Sequence, residues 1–140
     1  VESGITAGSF QWLALLVAVV AAFIIGVQVW AYARARRMRG RTAPLLKDVC
    51  GRDFSGGKPV LIYFYAPGCR ACRSMTPLMR ELQQERNDVF VLNAAAERHA
   101  AQAFGVMATP ATVRVDDGRI TDVILGARSR KALLQMLRDQ

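Results

Sequence analysis

Acidic side chains are scarce in this sequence: 11 against 19 lysines and arginines, with one histidine and three cysteines among 140 residues. The length is too short for two full enzyme domains. With 52% apolar and 21% charged residues, the chain is also excluded from the disordered class. No low-complexity tract or internal repeat is apparent. The most localised absence is of charge, because no Asp, Glu, Lys, Arg or His occurs from Ser3 to Ala33.

Within that gap every residue from Trp12 to Val27 is apolar or glycine. As a helix, Trp12 to Trp30 extends about 28 Å, close to the roughly 30 Å hydrocarbon core of a bilayer. Trp12 at one end and Trp30 with Tyr32 at the other suit the headgroup level. The sequence therefore predicts a short tail over residues 1–9, a transmembrane helix over 10–33 and a basic juxtamembrane linker over 34–44. A buried core helix is the bland alternative, but the remaining chain offers no comparable apolar helices to surround one. A cleaved signal peptide fits poorly, since the apolar run is longer than usual and its basic cluster follows it. Val1 stands in place of methionine, so a processed or trimmed chain is expected.

The net charge of +8 is concentrated behind the apolar run, where Arg34, Arg36, Arg37, Arg39, Arg41 and Lys47 contribute six positive charges. Only Glu2 precedes the run. The positive-inside rule places the C-terminal side in the cytoplasm and the N-terminus outside. Arginines abutting an apolar span act as topology determinants that also meet anionic lipid headgroups, so nucleic acid is not expected as a partner. Gln28 is expected near the wet interface. Gly40 and Pro44 punctuate a helix continuation that ends in a short tether.

The remaining residues, 45–140, alternate regularly. Leu45–Val49 suggests a short helix, and Val60–Ala66 is β-branched, aromatic and nearly all apolar, as in a strand covered on both faces. Cys72–Arg86 repeats Met75, Leu78, Met79 and Leu82 at three- and four-residue steps, predicting a helix. Val89–Leu92 follows as a strand and Glu97–Phe104 as a helix. Ala111–Val115 and Ile120–Leu125 flank an Asp117-Gly118 hairpin signal. Ser129 is placed to cap a last helix carrying Leu133, Leu134 and Leu137. The order β-α-β-α-β-β-α predicts an α/β fold, a mixed central sheet with helices on both faces, preceded by one transmembrane helix.

Cys69-Arg70-Ala71-Cys72 follows the first strand and opens a helix. Two cysteines three apart at a helix N-terminus suit a redox pair, because unpaired amides and the helix dipole favour a thiolate there. Arg70 and Arg73 add positive charge and are expected to lower the thiol pKa. Cys69, at the helix mouth, is the expected nucleophile, and Cys72, within the first turn, the expected resolving thiol. The competing reading is half of a zinc site, whose two further ligands would have to be Cys50 and His99, with no second paired knuckle. No metal and no cofactor is assigned.

These residues carry a family resemblance: residues 59–140 are similar to thioredoxin. The likeness rests on Val60–Ala66 leading into Pro67-Gly68-Cys69-Arg70-Ala71-Cys72, on Pro77, on Val106-Met107-Ala108-Thr109-Pro110 before a strand, and on Asp117-Gly118 and Gly126. It implies a thioredoxin-like fold over 45–140, a kink at Pro77, and a cis proline at Pro110 beside the disulfide. It also implies that Thr109, Pro110 and Gly68 contact a bound substrate chain. Gly68 stands where the family commonly has tryptophan, so a looser, less aromatic loop is expected. Tyr63 stands where thioredoxin has a buried aspartate, and tyrosine is a poor base at neutral pH.

The resulting expectation is a membrane-tethered thiol–disulfide oxidoreductase whose partners are the lipid bilayer and protein disulfides or dithiols. A second reading makes the chain an accessory or assembly subunit of a larger membrane complex, with the domain as a docking module. Cys50 reads as a packing residue, His99 as a surface residue, and Met75, Met79 and Met107 as core or rim packing near the site. The alternation of Tyr63 and Tyr65 with Ile62 and Phe64 needs only a sheet buried on both sides.

Overall fold

The computed structural model describes residues 5–43, 47–48, 51 and 57–138. Cys50, and most of the short helix expected at Leu45–Val49, lie outside these residues; Lys47 and Asp48 are helical. The chain divides into two compact units, Val1–Ala33 and Arg34–Gln140.

The first unit is helical from Ile5, within helix α1, Ile5–Met38. An unbroken apolar sequence without β-strand alternation or internal proline supports a continuous ladder of backbone bonds. Among the described residues its large side chains are mostly exposed: Trp12 is 75% exposed and Phe23 72%. The stretch from Gln11 is long and apolar enough to cross a membrane. Arg36 and Arg37 occupy the last turn, where cations complement the free carbonyls.

The second unit is built on a four-stranded sheet in the order β2-β1-β3-β4, with β1 at Val60–Tyr65, β2 at Val89–Asn93, β3 at Ala111–Asp116 and β4 at Arg119–Leu125. Strands β1 and β2 are parallel, joined through helix α2, Cys72–Glu85; β1–β3 and β3–β4 are antiparallel. Helix α3, Arg98–Ala103, and helix α4, Arg130–Arg138, complete the order that the alternation predicts.

Strand β1 explains why a nearly uniform apolar run was needed. Val60, Ile62 and Phe64 point into a cluster with Ala101, Phe104 and Val113, whereas Leu61 and Tyr63 point to the opposite face against Met75, Met79, Leu82 and Leu133. Period-two alternation thus feeds two cores at once. The residues of Val60–Phe64 are at most 1% exposed. Ser129 caps α4, its Oγ accepting the Ala132 N–H at 3.3 Å. The hairpin loop is Asp117-Gly118, with φ of 49° and 72°; positive φ at both central residues is the signature of a type I′ turn.

The segment after Met38 differs from the expected tether. It lies along the open side of β4: the Gly40 N–H donates to the Ile120 carbonyl at 2.6 Å, the Ile120 N–H to the Arg41 carbonyl at 2.8 Å, and the Ala43 N–H to the Gly118 carbonyl at 2.7 Å. Arg39 pairs with Asp122 and Met38 packs on the Phe64 side of the core. Gly105 makes room for Met38, since a Cβ at that position, already at φ +72°, would collide with the methionine side chain.

Candidate active site

The parallel β1–β2 pair and antiparallel β3 together bring four chain segments to one end of the sheet. They are the turn after Tyr65, the loop after Asn93, the approach to Ala111 and the exit from Leu125. The first of these is a tight turn. The Cys69 N–H donates to the Ala66 carbonyl at 3.2 Å, with Pro67 and Gly68 in the corner positions and Gly68 at φ +79°. Proline followed by a positive-φ glycine is the pattern of a type II turn. Gly68 therefore occupies the positive-φ corner at the entry to the cysteine pair.

Cys69 and Cys72 are joined as a disulfide, their Cα atoms 5.3 Å apart. Cys69 is partly exposed, whereas Cys72 is 3% exposed. The Cys72 N–H, at the first position of α2, donates to Cys69 Sγ at 3.2 Å. No acidic residue occupies the first turn of α2, so no carboxylate competes for its free amides. Arg70 and Arg73 are exposed beside the pair. Pro77 lies inside α2 and cannot donate to the carbonyl one turn earlier.

From the other side, Cys69 Sγ lies 3.5 Å from the Thr109 carbonyl oxygen. In the disulfide the sulfur has no proton to give, so this is a contact; in a free thiol it would become a weak hydrogen bond. The Thr109–Pro110 peptide bond is cis. The Pro110 carbonyl accepts the Gly126 N–H at 2.8 Å, fastening this loop to the exit from β4. The structure thus gathers Gly68, Cys69, Cys72, Thr109 and Pro110, with Arg70 and Arg73 at the margin. His99 is exposed on α3. Among the described residues no three His, Cys, Asp or Glu side chains converge as metal ligands.

Tyr63 has a partner that the sequence did not reveal. Its hydroxyl and Thr76 Oγ1 are 3.0 Å apart, linking β1 to the first half of α2 beneath the cysteines. Burial pushes the Tyr63 pKa above its ordinary value, against the lowering effect of the Thr76 bond, with a smaller rise from Tyr65. Tyr63 consequently remains neutral at physiological pH. A shallow groove of about 260 Å³ adjoins Thr109 and is lined by Arg98, Gln102 and Met107. Met75 and Met79 are core residues, but Met107 is 47% exposed.

A mixed sheet whose first strand delivers a cysteine pair to a helix N-terminus, facing a cis proline, defines a thiol–disulfide oxidoreductase domain. A family model described as Thioredoxin matches residues 53–139. The thioredoxin of Mycobacterium tuberculosis (strain ATCC 25618 / H37Rv) is 34% identical over 88 residues, covering 61% of this chain and 76% of that protein. That of Mycolicibacterium smegmatis is 30% identical over 104 residues, covering 70% and 93%. A mutant thioredoxin from Halobacterium salinarum NRC-1 superposes with a TM-score of 0.55 at 25% identity, covering 72% of this chain and 85% of that one. Fasciola hepatica thioredoxin gives 0.51 at 26%, covering 61% and 85%. The chain belongs to the thioredoxin family.

Proposed function

We propose that the chain is a membrane-tethered thiol–disulfide oxidoreductase acting on protein disulfides or dithiols, with Cys69 as nucleophile and Cys72 as resolving thiol. The observation that carries this reading is the asymmetry of the pair. Cys69 is reachable and its sulfur receives a helix-terminal N–H, whereas Cys72 is enclosed directly behind it. Arg70 and Arg73 add positive charge that favours the Cys69 thiolate over the thiol.

In the reducing direction the Cys69 thiolate attacks one sulfur of a substrate disulfide. A Cys69–substrate bond forms, the substrate disulfide breaks, and the departing substrate sulfur leaves as a thiolate. Cys72, on losing its proton, attacks Cys69; the second substrate thiolate is released and the Cys69–Cys72 bond closes. Two electrons pass to the substrate, and a dithiol donor must return them. Run backwards, the same steps oxidise a substrate dithiol. Thr109, two residues before β3 begins and touching Cys69 Sγ, offers its backbone to an extended substrate segment. Tyr63 stays protonated, so it does not act as the base that deprotonates Cys72.

The uncovered apolar helix supports residues 10–33 as a membrane span, with the domain over 45–140 working beside the bilayer. The arginines from Arg34 to Arg41 support a cytoplasmic domain and an outward N-terminus. Confinement to the membrane raises the effective concentration of the thiols toward membrane-bound substrates.

The test is reduction of insulin disulfides by the detergent-solubilised chain. Cys69→Ser is expected to fall to the uncatalysed rate with unchanged folding, and Cys72→Ser to accumulate a mixed disulfide detectable by mass. Retained turnover in Cys69→Ser would refute the assignment. Docking as the sole function predicts instead that a partner complex assembles and works unchanged in Cys69→Ser cells. Labelling of Cys69 in intact cells by a membrane-impermeant thiol reagent would place the domain outside and overturn the orientation.

A further inference from the structure

Charge is distributed unevenly between the two ends of the sheet. Carboxylates away from the cysteines are largely satisfied within the chain: Glu81 and Glu85 by Arg130, Asp88 by Arg86, Asp116 by Arg114 and Asp122 by Arg39. At the cysteine end the balance is different. The segments 66–73, 94–99, 107–110 and 126–129 carry Arg70, Arg73, Arg98 and Arg128 against one carboxylate, Glu97. All four arginines are exposed, and none is ion-paired among the described residues. Arg98 gives one N–H to the Ala95 carbonyl at 3.3 Å, which leaves most of its guanidinium donors for a ligand.

We infer that this end selects protein segments carrying aspartate or glutamate beside the reacting cysteine. The inference rests on the oxidoreductase reading and adds the substrate's charge to it. Arg98 shares a groove with Met107 and Thr109, so a substrate chain lying along Thr109 meets an apolar contact and then a guanidinium. Arg70 and Arg73 flank the sulfurs, and Arg128 lies two residues past Gly126, whose N–H is fixed to Pro110. A substrate approaching from any of these sides meets positive potential. Like charge on the substrate is repelled, and that repulsion gives the discrimination.

The experiment compares two otherwise identical disulfide peptides, flanked by glutamates or by lysines, reduced by the detergent-solubilised full chain. At low ionic strength the acidic peptide is expected to show about five- to tenfold higher kcat/KM, the effect of a few exposed ion pairs. In 0.5 M salt, where the Debye length is only about 4 Å, the ratio should fall toward one. Arg98→Glu and Arg128→Glu together should reverse the low-salt preference, Arg98→Lys should largely keep it, and Lys58→Gln at the far end of β1 should leave it as it is. Equal, salt-independent reduction of both peptides would overturn the charge preference while leaving the oxidoreductase reading intact. Failure to reduce either would sink both. If an oligonucleotide of matching charge inhibits more strongly than an acidic peptide lacking cysteine, the arginines serve nucleic acid and the inference falls.

Discussion

Two apolar runs, Trp12–Trp30 and Val60–Ala66, draw on similar residue types and meet opposite fates. In the first, Leu, Val, Ile and Phe side chains are roughly half or more exposed along α1, whereas in β1 the first five residues are buried almost completely. Composition alone does not separate them. Length and surroundings do: the Trp12–Trp30 stretch of a long helix stays largely exposed, while a six-residue strand receives cover on both faces from α2, α3 and α4. The buried run holds the fold, and the exposed run is available to something outside the chain.

The comparison can be broken from either side. The largest effect is expected from placing charge in the exposed run. Val20→Arg with Ile24→Arg sets two cations in the proposed span, each opposing insertion by about 2.5–3.5 kcal/mol on translocon scales. Carbonate extraction should then release the chain from membranes, while the melting temperature of the domain is unchanged. A wild type that carbonate already releases, with a variant that unfolds earlier, would mean that α1 is a structural helix of a soluble protein. The converse substitution, Phe64→Ala, removes a ring that packs 6.0 Å from Phe104 and should destabilise the domain by about 3–5 kcal/mol without altering membrane partition. Denaturant titration and carbonate extraction of the same variant measure both.

A smaller change sharpens the contrast within β1 itself, where Tyr63 is the one side chain of Val60–Phe64 with a polar end. Tyr63→Phe deletes the bond to Thr76 and should lower stability by about 1 kcal/mol near neutrality. Its pKa is raised on folding, so the native state holds the phenolic proton more tightly than the unfolded chain does. That contribution is complete below the unfolded value near 10 and is lost as pH climbs through the higher folded value. Stability of the wild type should therefore fall more steeply than that of Tyr63→Phe in alkaline denaturation. Parallel curves would show that Tyr63 titrates as it does in water.

Much of the architecture was legible because it is periodic or chemically marked. Val60–Ala66 announced a doubly covered strand, Asp117-Gly118 a two-residue hairpin, and Ser129 a helix cap, each through a local rule that the tertiary context did not override. The cysteine pair was visible because two cysteines three apart at a helix mouth have little other use, whereas Thr109-Pro110 was marked only by the resemblance to thioredoxin. Residues 39–43 were not legible. Their docking on β4 depends on backbone groups that every residue possesses, and so short a stretch leaves no room for a hydrophobic period to emerge. The Tyr63–Thr76 bond was hidden similarly, since both residue types are ordinary in a strand and a helix and only their superposition across 13 positions creates the link. The charge of the cysteine end was equally obscure, because Arg70, Arg98 and Arg128 are separated in sequence and collected only by strand register.

The pairing of Gly40 and Ala43 with Ile120 and Gly118 bears on crowding. A bare outer strand invites intermolecular sheet growth wherever copies of a chain meet often. Here the chain's own linker occupies the first half of that strand, so a neighbouring copy finds its hydrogen-bonding groups there already taken. The same short stretch thereby leaves fewer free strand groups for another copy to pair with.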